Sequence, residues 1–152
     1  MKLEIFRKTA ADLLYNENKF EVIAALKATE NAELLYIYIG NYNWNDGFEI
    51  PTAVVGNKNC DLGTALLAFD RADGLSFFVD RKEKNLRNDV YMSPWVDFVD
   101  SLYNRILAGK FSEYLQYVPS LTALQKYKFE KFYPEIPKIF IEGTSGEILV
   151  LC

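Results

Sequence analysis

Asn41, Asn43, Asn45 and Asp46, followed by Gly47, are the side chains that most invite a chemical reading of this chain. Alternating oxygen-bearing side chains ahead of a glycine build calcium loops of the form D-x-[DN]-x-[DN]-G, closed by a Glu at position twelve. Counted from Asn41, position six is Asp46, the glycine comes one residue late, and position twelve is Thr52. Asparagines also bring less negative charge than aspartates. The pattern therefore departs from a calcium loop, and no metal site or cofactor is expected. A second chemistry is a carboxylate acid/base site, with Asp46 and Glu49 at its centre and Asn43 and Asp61 beside them. Such pairs work when their surroundings push the two pKa values apart. The competing reading is architectural. Asp46 and Glu49 stand three residues apart, the spacing of a capping box, and acids suit the free N–H groups and positive dipole end of a helix.

The block recurs. Asn57-Lys58-Asn59-Cys60-Asp61-Leu62-Gly63 again alternates polar residues before an aspartate, and each block runs into an apolar segment. Asp46 and Asp61 lie fifteen residues apart, about one short helix plus a turn, as in half of a helical-repeat unit. Trp44 stands inside the first block. In a turn between helices it is either a lid on the core or an exposed contact residue of the kind interfaces prefer.

Composition excludes more than it selects. The 152 residues contain no histidine, which removes Ser-His-Asp and Cys-His catalysis and the histidine-bearing zinc motifs. The only cysteines, Cys60 and Cys152, are too few for a zinc or iron–sulfur site from one chain, and read as free thiols in a reducing cytoplasm. No run of 18 apolar residues suggests a membrane span, and the N-terminal stretch lacks a continuous apolar signal core. Residues 1–80 carry 7 basic and 12 acidic side chains, and residues 81–152 carry 10 and 9. Between residues 30 and 80 only Lys58 and Arg71 oppose eight carboxylates. Nucleic acid is an unsuitable partner for such a centre. A basic protein would be favoured, through association rate more than affinity.

The elements that must carry these residues read as helices. Leu3, Phe6, Ala10, Leu13 and Leu14 share one helical face. Phe20, Ile23 and Ala24 suggest a second helix, and Asn31 can cap a third through Leu34, Leu35, Tyr38 and Ile39, although "LLYIYIG" also permits a strand. Asp46 is placed to cap a short helix over about 47–55, and Asp61 one carrying Leu62, Ala65, Leu66 and Phe69 that Gly74 would end. "RKEKNLRND", residues 81–89, reads as a charged linker. Ser93-Pro94 starts a helix with a broad apolar face from Trp95 to Leu107, stopped by Gly109. "FSEYLQYVPS" suggests one or two helical turns, and Ser120 can cap a further helix to about Phe132. "KIFIE-GTSG-EILVLC" reads as two β-rich runs joined by a tight turn. The expected architecture is a single domain over residues 1–152, mostly α, of short antiparallel helices stacked like helical repeats, with a C-terminal β-hairpin.

"NYNWNDGFEIPTAV" followed by "NKNCDLGTALLAFDRADG" resembles a bacterial family known as domain of unknown function 4274. Its members share N-Y-N-W-D-D-G-F-E-I-P, then N-P-N-C-D-L-G-T-A-L and A-D-G. The similarity covers about residues 34–78. This chain has Asn45 and Lys58 where the family usually has Asp and often Pro. The resemblance implies a small helical domain, brings no catalytic residues, and associates some members with toxin–immunity loci. The expected function is a non-enzymatic interaction protein acting through Asn43, Trp44, Asp46, Glu49 and Asp61, in its sharpest form an immunity-type protein that neutralises a basic toxin. The alternatives are the carboxylate enzyme above and a structural or regulatory domain.

Overall fold

A computed structural model describes residues 2–83 and 93–149. The chain runs α1 (Lys2–Tyr15), α2 (Lys19–Ala28), α3 (Ala32–Asn41), a 3-10 turn (Trp44–Asp46), α4 (Glu49–Gly56), α5 (Leu62–Arg71), α6 (Gly74–Glu83), α7 (Ser93–Leu107), α8 (Ala123–Phe132) and a short α9 (Ile139–Glu142). α1 packs on α3, α3 on α5 and α5 on α7, while α2 packs on α4. α1, α3, α5 and α7 thus form one row, and α2 and α4 pair beside it, in the manner of stacked helix pairs.

α3 and α5 form the centre of this stack. Leu34 to Ile39 are buried without interruption, as are Leu62 to Phe69. A helix that is apolar all round must be enclosed on every side, which is why "LLYIYIG" becomes a helix between two others and not a half-exposed strand. α7 is amphipathic. It buries Phe98, Val99, Leu102 and Ile106 and leaves Asp97 and Ser101 outside. Its end is a Schellman motif: Gly109 N–H donates to Ile106 and Lys110 N–H to Arg105, with Gly109 at φ +70°.

Several expectations are corrected. Asp73, at φ +62°, takes the left-handed conformation that Gly74 was expected to take. Gly74 instead opens α6, where any Cβ would collide with the Phe69 ring. Residues 81–83 of the expected linker complete α6, and 84–89 lie outside the described residues. Residues 111–119 contain no helix. α8 is capped by Thr122 and not Ser120: Thr122 Oγ1 accepts from Gln125 N–H at 3.1 Å, and the Gln125 side chain accepts from Thr122 N–H at 2.8 Å.

The C-terminal hairpin does not form. The described residues contain no strand, only single-residue bridges. Ile139–Glu142 is a helical turn that buries the neighbours Phe140 and Ile141. A strand sends adjacent side chains to opposite faces, so burying two in succession here suits the helix. Residues 144 and 147 bridge to Tyr117 and Leu115, and Gln116 N–H donates to Glu147 O at 2.8 Å. The extended 112–117 segment therefore takes the place that a local strand partner was expected to fill. Residues 150–152 of the expected hairpin lie outside the described residues.

That segment is fastened at one residue. The Asp61 carboxylate, 1% exposed, accepts from Gly63 N–H at 3.2 Å and Thr64 N–H at 3.1 Å as the N-cap of α5. It also accepts from Thr64 Oγ1 at 2.6 Å and from Leu115 N–H at 2.7 Å. Leu62 N–H donates to Ser112 O at 2.8 Å. Gly63 makes the approach possible, because a Cβ there would overlap the Leu115 carbonyl. Asp61→Ala leaves three backbone donors without their acceptor and should cost about 3 kcal/mol or more in urea denaturation. Gly63→Ala, which forces the 112–117 segment outward, should cost about 1–3 kcal/mol. A loss below about 1 kcal/mol for Asp61→Ala would show that the buried carboxylate is not what ties these elements together.

Candidate functional site

The residues singled out by sequence do not converge. Asn43 and Asp46 line a hollow beneath the 3-10 turn, between α1 and α3, of about 480 Å³. Glu49 lines a different groove, between α2 and α4, of about 940 Å³. Asp61 lines neither, since both its oxygens face protein donors. A shared acid/base site of Asn43, Asp46, Glu49 and Asp61 is therefore not assembled. Among the described residues no group of three or more Asp, Glu or Cys is arranged to hold a metal ion.

The first block forms differently from its expected capping role. Asn43, not Asp46, is the capping residue: its Oδ1 accepts from Asn45 N–H at 3.1 Å and starts the 3-10 turn. Asp46 ends that turn. Gly47 reverses the chain at φ +96°, and its carbonyl accepts from the Tyr42 hydroxyl at 2.8 Å. α4 then begins after Phe48 with no side-chain cap, so the Asp46–Glu49 capping box is absent. Glu49 is exposed and sits 3.8 Å from Lys19, a pair open to solvent and therefore weak.

Trp44 is half-buried against the core. Its ring meets Tyr42 edge-on at 5.4 Å, Phe98 of α7 at 5.9 Å and Phe48 at 6.2 Å. It is a lid, held by the T-shaped and tilted geometries that aromatic quadrupoles favour. Its Nε1 is buried without a hydrogen-bond partner, in contrast to Trp95, whose Nε1 donates to Ala72 O at 2.7 Å.

The second block also braces the structure, partly through a residue the sequence reading passed over. Asn57, 7% exposed, donates through Nδ2 to Leu26 O at 2.8 Å and Thr29 O at 2.9 Å, satisfying carbonyls at the C-terminal end of α2. Its Oδ1 accepts from Asn59 N–H at 2.7 Å. The alternation Asn57-x-Asn59-x-Asp61 was the visible signal. Cys60 is a free buried thiol whose pKa burial pushes up, which makes it unreactive. α7 starts at Ser93, whose side chain is outside the described residues.

A titratable pair, with Tyr117 buried and Asp70 half-buried, lies at the C-terminal end of α5. The Tyr117 hydroxyl donates to Asp70, and burial raises the pKa of both groups. The neighbouring Arg71 donates to Gly40 O at 3.0 Å. This pair had no sequence signal, because Tyr117 sits in a segment read as helical turns.

What emerges is a mostly helical protein whose Asn/Asp blocks cap, turn and brace helices. The profile of a family described as domain of unknown function DUF4274 matches residues 30–107. The match runs from just before α3 to the last residue of α7, half of the chain, and the chain belongs to this family. No curated protein and no solved structure matches it. No helix among the described residues is long and apolar enough to cross a membrane.

Two outcomes are expected. Trp44→Ala should cost about 3 kcal/mol in chemical denaturation. Trp44→Phe, which loses contact area but also removes the orphaned N–H, should stay within about 1 kcal/mol of the parent; a harmless Trp44→Ala would remove the lid. For Asp70, a raised folded pKa means that protonation favours the folded state. That contribution is present at low pH and is lost as pH rises from the ordinary 3.8 through the folded value. Asp70→Asn keeps an acceptor for Tyr117 without the charge. Its stability relative to the parent should therefore grow as pH rises through this range, and a gap independent of pH would contradict the assignment.

Proposed function

We propose that this protein is a non-enzymatic interaction module that receives a partner's segment in the α2–α4 groove. The observation that carries the reading is the groove itself. Ile23, Phe48 and Ala53 give it an apolar floor, and Lys27, Glu30, Glu49 and Lys58 give it a charged rim. Phe20, 87% exposed, continues the line of Ile23 and Lys27 along α2 at helical spacing, so apolar surface extends beyond the groove. An open groove of small and apolar residues suits a helix or extended peptide better than a reacting small molecule.

Rim charge is mixed, so any preference for a basic partner comes from the wider field. Glu30 and Glu49 are both exposed on this groove, in a chain of net charge −4. That field raises the association rate of a cationic protein more than its affinity. The finer reading is an immunity-type protein acting in a bacterial cytoplasm against a basic toxin. The family resemblance motivates it. Of the residues first suspected, Glu49 lies on the groove, while Asn43 and Asp46 line the separate hollow between α1 and α3. Trp44 and Asp61 face inward and drop out of the contact surface.

Gly56 offers a clean obstruction. It is exposed on the groove wall, and a Cβ there meets nothing within 4 Å, so Gly56→Trp fills the groove without displacing the core. The protein should bind, and protect cells from, a basic toxin encoded beside its gene. Gly56→Trp should weaken calorimetric binding about 10-fold or more at unchanged melting temperature. Failure to bind or protect removes the immunity reading. Binding that ignores Gly56→Trp removes the groove.

A further inference from the structure

The hollow beneath the 3-10 turn holds two polar groups that the fold leaves without partners. Tyr38 is 2% exposed and lines the hollow, yet its hydroxyl has no hydrogen-bond partner among the described residues. Its neighbour Tyr42 shows the usual outcome, with its hydroxyl bonded to Gly47 O. Unlike Trp44 Nε1, the Tyr38 oxygen is not a fully buried orphan; it reaches solvent at the wall of the hollow and is open to a ligand. Asp46 is the second group. It is exposed on the same wall, and its carboxylate makes no hydrogen bond or ion pair among the described residues. Burial and the Asp46 charge push the Tyr38 hydroxyl up to about 12, so near neutral pH it stays protonated and is a donor. Asn43 adds another. Its Oδ1 is held by Asn45 N–H, which leaves its amide N–H₂ for a ligand.

The remaining wall mixes the apolar Leu13, Leu14, Ile37 and Ile50 with the polar Arg7, Tyr15, Asn16 and Asn41. The volume, about 480 Å³, is that of a small-molecule site. Beside the Arg7 guanidinium, the wall therefore offers an anion, two neutral donors and an apolar bed. A ligand complementary to all three carries a cationic N–H donor, an acceptor oxygen and an apolar body. We propose that this hollow binds a small zwitterion of the amino-acid class with an apolar side chain. The ammonium sits on Asp46, the carboxylate takes the Tyr38 hydroxyl and the Asn43 amide, and the side chain lies on Leu13, Leu14, Ile37 and Ile50. The site is separate from the α2–α4 groove, and its existence does not depend on a partner there.

Calorimetric titration of the full chain with L-leucine and L-phenylalanine tests this. Saturable binding with a millimolar or tighter Kd is expected. Isoamylamine, which lacks the carboxylate, and 4-methylpentanoate, which lacks the amine, should each bind about 10-fold more weakly. Asp46→Asn and Tyr38→Phe should each weaken leucine by about the same factor. The Asp46 carboxylate makes no hydrogen bond or ion pair among the described residues, so Asp46→Asn should leave the melting temperature nearly unchanged and report on the site. No saturable binding of either amino acid up to about 10 mM overturns the proposal. So does binding that neither substitution weakens, or binding that the amine or the acid alone reproduces in full.

Discussion

A carboxylate removed from water loses its hydration and must regain it as hydrogen bonds. Asp61 regains it from four donors, three on the first turn of α5 and one on the backbone of Leu115. That last bond matters most to the architecture. It joins a helix cap, a local feature, to a segment more than fifty residues away in sequence. Once Leu115 is fixed there, Tyr117 is carried under α5 to Asp70, and residues 144–147 have a backbone to bridge to. Gly63 is the complement of the same constraint, because the segment can come close only where α5 has no side chain.

The residues by which this chain resembles its family are mostly accounted for by such ties. Asn57 holds the end of α2, Asp61 and Gly63 hold the 112–117 segment, and the Ala72 carbonyl accepts the Trp95 indole N–H. Trp44 and Phe48 close over Phe98. A motif of this kind specifies a packing arrangement between neighbouring helices and leaves the chemistry open. The proposed functions draw on groups outside these ties. These are Glu49 and the small residues of the α2–α4 groove on one side, and Asp46 and Tyr38 on the other.

Local signals in the sequence were legible where local physics decides. The apolar face of α7, the glycine that stops it and the Asp61 cap all follow from contacts within a few residues. The Asp46 cap failed for an equally local reason: Asn43 starts a 3-10 turn first, and Gly47 then breaks the chain before Glu49 can answer. The C-terminal hairpin failed for a distant one. "KIFIE" and "EILV" have β-prone composition, but the backbone available to pair with residues 144–147 belongs to residues 114–117. No pattern within the C-terminal stretch could report that. The same distance hid the Tyr117–Asp70 bond and the hollow shared by α1 and α3.

The acidity of the centre looks different once side chains are placed. Eight carboxylates between residues 30 and 80 suggest a strongly negative face, but several are committed elsewhere. Asp61 is buried, Asp70 is bonded to Tyr117, Glu33 accepts from Tyr114 and Asp73 accepts from Ser76. Of the other four, Glu30, Asp46 and Glu49 are exposed and line the two concave surfaces, and the Asp80 side chain lies outside the described residues. Exposed charges interact through water and fall off within about a Debye length, roughly 8 Å at physiological salt. Their effect is therefore strongest on whatever comes close to the groove or the hollow. In the proposed function the protein's negative charge acts on a cationic partner as it approaches over that range, through rate more than affinity.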